Sequence, residues 1–277
     1  MAIPELRTVE IGEGRRISYR EAGSGAPVVI LHGLGGRSES WQPQYDGLGG
    51  RYRVIGWDAP GYNESSEMPQ DEPLIGDYIA VLTRFVDALG LERFHLVGHS
   101  VGTVMAAAFH QARPDRLLSL TLAEAVIGSG TTPREAQDAA IAARKRDFET
   151  LGAAEVARTR TPNSLSPNAD PAVIRRAIDF AAKVQVPGHL KLFAALIRGH
   201  IFDYVTPLAC PAMIVAGSDD RSAPADLVRQ IADAYPGIQH HVIEGIGHQI
   251  AMEKPQEFLG LLRDFLASAE AARQAAE

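Results

Sequence analysis

Short β-branched apolar runs recur along the chain, separated by stretches in which apolar positions follow helical spacing. The runs are Val28–Leu31, Tyr52–Trp57, Phe94–Val97, Leu118–Leu122, Met213–Ala216 and His240–Ile243. The central ones are apolar on both faces, as strands covered on both sides must be. Amphipathic stretches over Asp77–Leu89, Gly102–Gln111, Ala225–Ala234 and Pro255–Leu266 lie between or after them. This alternation predicts an α/β fold with a mostly parallel central sheet flanked by crossover helices. The opening, Arg7 to Ala22, alternates around Gly12-Glu13-Gly14 and predicts an antiparallel hairpin. The pattern is interrupted once, from Val126 to Val205, by a helix-rich segment broken at Pro133, Pro162, Pro167, Pro171 and Pro187-Gly188. It is too long for a simple loop. The expected organisation is a core of residues 1–125 and 206–277, with residues 126–205 inserted as a helical cap over the carboxyl ends of the strands. After Leu266 the Ala-rich end reads as a last helix fraying into solvent.

Composition bounds this picture. The chain has 277 residues, 45% hydrophobic and 22% charged, with a net charge of −7. A core of this size needs no disulfide or metal staple. No Lys/Arg run is dense enough to hold a polyphosphate backbone, so nucleic acid is not an expected partner. The single cysteine, Cys210, precedes Pro211 and an apolar run and reads as a buried structural thiol. Met1-Ala2-Ile3-Pro4-Glu5 lacks a signal pattern and no apolar stretch reaches about 18 residues. A cytoplasmic location without membrane contact is therefore expected, and association as a homodimer stays open.

The strongest motif is Gly98-His99-Ser100-Val101-Gly102, a G-x-S-x-G preceded by a strand and followed by a small-residue helix. The pentapeptide also occurs in unrelated loops, but that strand-to-helix context is what a nucleophile elbow requires. A serine is a poor nucleophile without a base. Two later loops offer partners: Gly217-Ser218-Asp219-Asp220 after one strand, and Glu244-Gly245-Ile246-Gly247-His248 after the next. Either aspartate can fill an acid role on spacing alone. The Gly-rich run His32-Gly33-Leu34-Gly35-Gly36 lacks the Gly-Lys-Ser/Thr ending and the G-x-G-x-x-G spacing of phosphate cradles. A further turn, Asp58-Ala59-Pro60-Gly61-Tyr62-Asn63-Glu64-Ser65, follows the strand ending at Trp57.

Taken together, these motifs resemble the α/β-hydrolase superfamily over about residues 20–125 and 205–266. The resemblance implies Ser100 as nucleophile and His248 as the base that takes its proton. Many members end the acid strand in G-x-x-D-x-x-x-P, which fits Gly217, Asp220 and Pro224 and implies Asp220 as the acid, with Asp219 a turn residue. The H-G-x-G loop implies an oxyanion hole from the backbone N–H groups of Leu34 and Val101, braced by His32. The Asp58 turn is similar to one in meta-cleavage product hydrolases, which cut carbon–carbon bonds, and no chemistry is assigned to it. Neither cofactor nor metal is implied.

Departures narrow the reading. A serine nucleophile argues against haloalkane dehalogenases and epoxide hydrolases, which place aspartate at the elbow. Most meta-cleavage hydrolases carry tryptophan after the histidine, where this chain has Gln249, and its only tryptophans are Trp41 and Trp57. Apolar residues of the inserted segment, among them Val184, Val186, Leu190, Leu192, Phe193, Leu196, Ile197 and Phe202, suggest a small, partly apolar substrate; Lys191 and Arg198 are candidates to meet a substrate carboxylate. The expected function is hydrolysis of a small carboxylic ester or lactone through an acyl-enzyme. The alternatives are carbon–carbon hydrolysis of a diketone-like compound and a small-molecule receptor built on a hydrolase pocket.

Overall fold

The hairpin opens the fold. In a computed structural model describing residues 2–275, β1 (Arg7–Glu10) and β2 (Arg16–Ala22) pair antiparallel. The turn between them passes through Gly12, Glu13 and Gly14, all at positive φ. Six strands follow: β3 (Ala26–Leu31), β4 (Tyr52–Trp57), β5 (Phe94–His99), β6 (Leu117–Ala123), β7 (Ala212–Gly217) and β8 (Gln239–Ile243). They form one eight-stranded sheet in the order β1-β2-β4-β3-β5-β6-β7-β8, antiparallel at β1–β2 and β2–β4 and parallel elsewhere. Every residue of β5 and β7 is buried, which is why those runs carry no polar alternation.

Helices cover both faces. α2 (Ile75–Ala88) and α3 (Val101–Ala112) pack one apolar cluster with Val29, Leu31, Leu96 and Leu120. On the other face, α1 (Gln42–Leu48) and the C-terminal helix (Pro255–Gln274) enclose Val28, Ile30, Val97 and Val215. The periodicity does not predict α1, because seven residues supply only two buried apolar side chains, Tyr45 and Leu48. Nor does the C-terminal helix fray at Leu266. It continues to Gln274, because alanines favour helix, Ala269 is buried, and Glu270 pairs with Arg51 at 2.6 Å. Cys210 is half-buried rather than buried, yet burial still pushes its thiol up to about 11.

Between β6 and β7 come three helices: α4 (Arg134–Arg160), kinked at Gly152, α5 (Pro171–Ala182) and α6 (Val186–Arg198). Their prolines start helices. Pro133 caps α4, Pro171 follows an Asp170 side chain that accepts the Ala172 N–H at 2.7 Å, and Pro187 lies in the first turn of α6, where no N–H is needed. The segment docks onto loops at the carboxyl ends of the strands. Gly188 lies so close to Gly61 that a Cβ on either would overlap the other's backbone. The His248 N–H donates to the Ser164 carbonyl at 2.5 Å, and a Cβ on Gly247 would overlap the backbone of Leu165 and Ser166. Leu192 and Phe193 are buried, and Val186, Leu190 and Phe202 pack half-buried against the core. Among the described residues no helix is long and apolar enough to cross a membrane.

Candidate active site

Ser100 occupies the single residue between β5 and α3, at φ 55° and ψ −122°. Such a conformation costs a non-glycine residue about 1–3 kcal/mol and persists only where surroundings over-determine it. Here the Ser100 N–H donates to the Ala123 carbonyl at 3.1 Å, and its own carbonyl accepts from the Thr103 N–H and hydroxyl at 2.8 and 2.6 Å. The flanking glycines are required by close approach. A Cβ on Gly98 would overlap the Gly102 carbonyl oxygen, and one on Gly102 would lie 2.6 Å from the Leu31 carbonyl oxygen.

The loop after β8 brings His248 to this serine. His248 Nε2 lies 2.8 Å from Ser100 Oγ, and Nδ1 lies 2.6 Å from Asp220 Oδ2, on the loop after β7. A carboxylate only accepts, so Nδ1 carries the hydrogen and Nε2 is left to accept the serine hydroxyl. The other Asp220 oxygen accepts the N–H groups of Ser222 and Ala223 at 2.7 and 2.9 Å. Burial alone would raise the Asp220 carboxyl. The hydrogen bond and charge of His248, with those two N–H groups, outweigh it and hold the carboxyl below its ordinary value. Burial likewise disfavours the charged imidazole of His248, but the Asp220 hydrogen bond and charge, helped by Glu124 and Glu253, raise its pKa above 6.5. Asp219 faces elsewhere and accepts the Ser166 hydroxyl at 2.6 Å.

Gly33 lies against the elbow, where an added Cβ would come within 2.9 Å of the His99 ring and 3.0 Å of Ser100 Cβ. This approach sets Leu34 beside Ser100. The Leu34 carbonyl is held by the Tyr62 hydroxyl at 2.7 Å and His189 Nδ1 at 3.1 Å. Among the described residues the N–H groups of Leu34 and Val101 have no acceptor. His32 ties this loop to the next: Nδ1 donates to the Gly33 carbonyl at 2.7 Å, and Nε2 accepts the Ala59 N–H at 3.0 Å. Burial pushes the His32 imidazole down to about 4, so it stays neutral. Asp58 organises the turn after β4, accepting from Ser38, Ser18 and Asn63 at 2.7–3.0 Å. Asn63 in this turn has a φ of 47°, a conformation asparagine tolerates.

Three residues of this neighbourhood escape the sequence reading. Glu124, fully buried at the end of β6, lies 2.7 Å from His99 Nε2, which also reaches the His248 carbonyl at 3.0 Å. An acid directly after a strand of apolar and hydroxyl residues was the available signal. Trp41, distant from the elbow in sequence, packs edge-on to His99 with ring centroids 6.0 Å apart. Arg144 of α4 lines the cavity above Ser100, and nothing in its polar stretch marks it in advance.

That cavity measures about 570 Å³ and is walled by the serine and histidine, the Leu34 loop and the inserted helices. Val184, Phe193, Leu196 and Ile197 supply part of its apolar lining. The expected carboxylate partners lie elsewhere, for Arg198 pairs with Asp138 and Lys191 donates to the Met68 carbonyl at 2.7 Å. Among the described residues no cluster of three or more His, Cys, Asp or Glu is arranged to hold a metal ion.

Residues 26–255 match a family described as alpha/beta hydrolase fold. Among curated proteins, the 2-hydroxy-6-oxo-6-phenylhexa-2,4-dienoate hydrolase of Comamonas testosteroni is 30% identical, with 90% of this chain and 91% of that one covered. The (E)-2-((N-methylformamido)methylene)succinate hydrolase of Acinetobacter baylyi is 25% identical, covering 91% and 94%. Among solved structures, a thermophilic esterase from Thermogutta terrifontis superposes with a TM-score of 0.84 at 24% identity, covering 96% of this chain and 99% of that one. The enol-lactonase from Burkholderia xenovorans superposes at 0.82 and 22% identity, covering 95% and 100%. At these identities the two structures show a shared fold.

Proposed function

The chain belongs to the α/β-hydrolase fold family, and from that premise we propose that it is a cofactor-independent serine hydrolase of small carboxylic esters or lactones. The observation that carries this is the hydrogen-bonded line Ser100–His248–Asp220 opening into a partly apolar cavity. Ser100 Oγ attacks the scissile carbonyl while His248 Nε2 takes its proton, and Asp220 stabilises the imidazolium that forms. The unpaired N–H groups of Leu34 and Val101 receive the oxyanion; losing one such donor typically costs about 10²–10³ in turnover. The imidazolium then protonates the leaving alcohol. Water, deprotonated by the same histidine, releases the acid from the acyl-enzyme. In this reading residues 126–205 act as a cap over a core of 1–125 and 206–277, excluding bulk water and shaping the acyl site.

Carbon–carbon hydrolysis by the same groups is the second reading, favoured by the 30% identity to the Comamonas enzyme. Gln249, where most such enzymes carry tryptophan, weighs for the ester. The test is labelling by a fluorophosphonate followed by turnover of p-nitrophenyl esters and a 2-hydroxy-6-oxo-dienoate. We expect one label per chain, lost in Ser100→Ala and His248→Ala, with multiple turnover of the esters. Absence of labelling in folded protein would sink the hydrolase, and a single burst without turnover would favour a receptor.

A further inference from the structure

Arg144 is a cation without a counterion. Its guanidinium lies over the Phe193 ring, 4.4 Å from the centroid, and Phe193 itself is buried. Among the described residues no carboxylate, carbonyl or hydroxyl lies within hydrogen-bonding or ion-pair distance of it. The nearest acid on the same helix, Asp147, is engaged by Arg160. Burial draws the Arg144 pKa down, the neighbouring Arg160 charge adds to that, and Asp147 only partly offsets them. Stacking on an aromatic face holds the guanidinium plane while leaving its edge N–H groups free.

The cavity wall carries the same sign throughout. Among the described residues its charged side chains are Arg144 and Arg160, and no aspartate or glutamate lines it. This inverts the balance of the whole chain, whose net charge is −7. Burial, reinforced by the Arg144 charge, pushes the neighbouring His189 imidazole down to about 4, and so keeps it neutral. A half-buried guanidinium in the cavity wall with no protein acceptor keeps its N–H groups available to what enters the cavity. The planar fork matches a carboxylate in geometry and charge, and a substrate anion would complete what the protein leaves open.

We propose that the substrate carries a free carboxylate in addition to the bond cleaved, and that Arg144 binds it. The site is thus specific for an ester or lactone bearing a carboxylate. This deepens the serine-hydrolase reading above and rests on it. Phe193, Leu196 and Ile197 accommodate the intervening carbon skeleton, and the guanidinium rejects neutral substrates by remaining unpaired when they bind.

Two matched pairs of substrates test this with the full chain. In one, p-nitrophenyl hydrogen glutarate is compared with p-nitrophenyl valerate, which places the carboxylate on the acyl side. In the other, 4-acetoxybenzoate is compared with phenyl acetate, which places it on the leaving group. The expected result is a preference of about 10–100-fold in kcat/KM for the carboxylate in one pair, shrinking as salt is raised. Arg144→Gln is expected to collapse that ratio chiefly through KM, and Arg144→Lys to leave an intermediate one. Fluorophosphonate labelling of Ser100, run alongside, separates the two readings. Labelling and ester turnover with no carboxylate preference in either wild-type pair would overturn the proposal alone. A preference that survives undiminished in Arg144→Gln would also overturn it. No labelling and no turnover would overturn the hydrolase reading itself. The wild-type comparison stands even if the glutamine variant fails to fold.

Discussion

Glu124 Oε2 lies 2.7 Å from His99 Nε2, and together the two residues hold the backbone that follows the His248 side chain. His99 Nε2 also reaches the His248 carbonyl at 3.0 Å, and the Glu124 oxygens accept the Ile250 N–H at 3.1 and 3.2 Å. The nitrogen faces two acceptors, so it carries the hydrogen. A second carboxylate–imidazole pair therefore fixes the loop that aims the first. Burial raises the Glu124 pKa, against the His99 hydrogen bond that favours its charged form.

Glu124→Ala should loosen this loop. It strands the Ile250 N–H donor in a buried setting, at about 1–3 kcal/mol, and leaves the His99 N–H with the His248 carbonyl alone. A clear drop in thermal midpoint is expected, with kcat falling roughly tenfold or more as His248 loses its alignment. Glu124→Gln, which retains the volume and an acceptor, should lie between. Unchanged kcat and midpoint in the alanine variant would show the pair to be idle.

The two adjacent aspartates should behave differently. Asp220→Asn removes the negative partner of His248 Nδ1 and should lower kcat by about 10³–10⁴-fold at neutral pH, by analogy with the triad asparagine variant. Asp219→Asn disturbs the contacts to the Ser166 and Ser218 hydroxyls, away from His248, and should change kcat little. Steady-state kinetics of the two variants on one p-nitrophenyl ester decides between them, and the reverse order of effects would reassign the acid.

The pH profile follows from His248. Its imidazole is held above the ordinary 6.5 mainly by Asp220, and only the neutral form accepts the serine proton. Activity should therefore be lost as pH falls through a value above 6.5 and gained as pH rises through it. Without the Asp220 charge, burial pulls the imidazole the other way, so residual activity of Asp220→Asn should carry its acid limb to lower pH. The profile of kcat/KM reads the free enzyme directly. An acid limb below 6.5 in the wild type would contradict the direction.

Most of the sheet is legible in the chain because its signal is local. The run Tyr52–Trp57 is a strand over those same residues, and the hairpin turns at Gly12-Glu13-Gly14 as its glycines require. The elbow motif carries its own steric reason, since Gly98 and Gly102 leave no room for a Cβ. Short helices with few apolar anchors, such as α1, do not announce themselves. The C-terminal helix outruns its apolar repeat because Ala269 and Glu270 find partners that periodicity does not count.

Ser100, His248 and Asp220 could be nominated one by one because each sits at the carboxyl end of a strand in a recognisable turn. That Asp220 rather than Asp219 meets the imidazole is decided by the direction of two side chains on one loop, which adjacent identical residues cannot reveal. The Glu124–His99 brace and the freedom of Arg144 are decided the same way. An ion pair depends on what lies within about 4 Å in space, and Arg198 and Lys191, equally plausible as a string of letters, turned out to be spent on Asp138 and Met68. Sequence determined the fold and the kinds of groups available for chemistry, through local periodicity and turn sterics. Only the tertiary packing of the inserted helices over the strand ends decided which charges line the cavity that Ser100 shares.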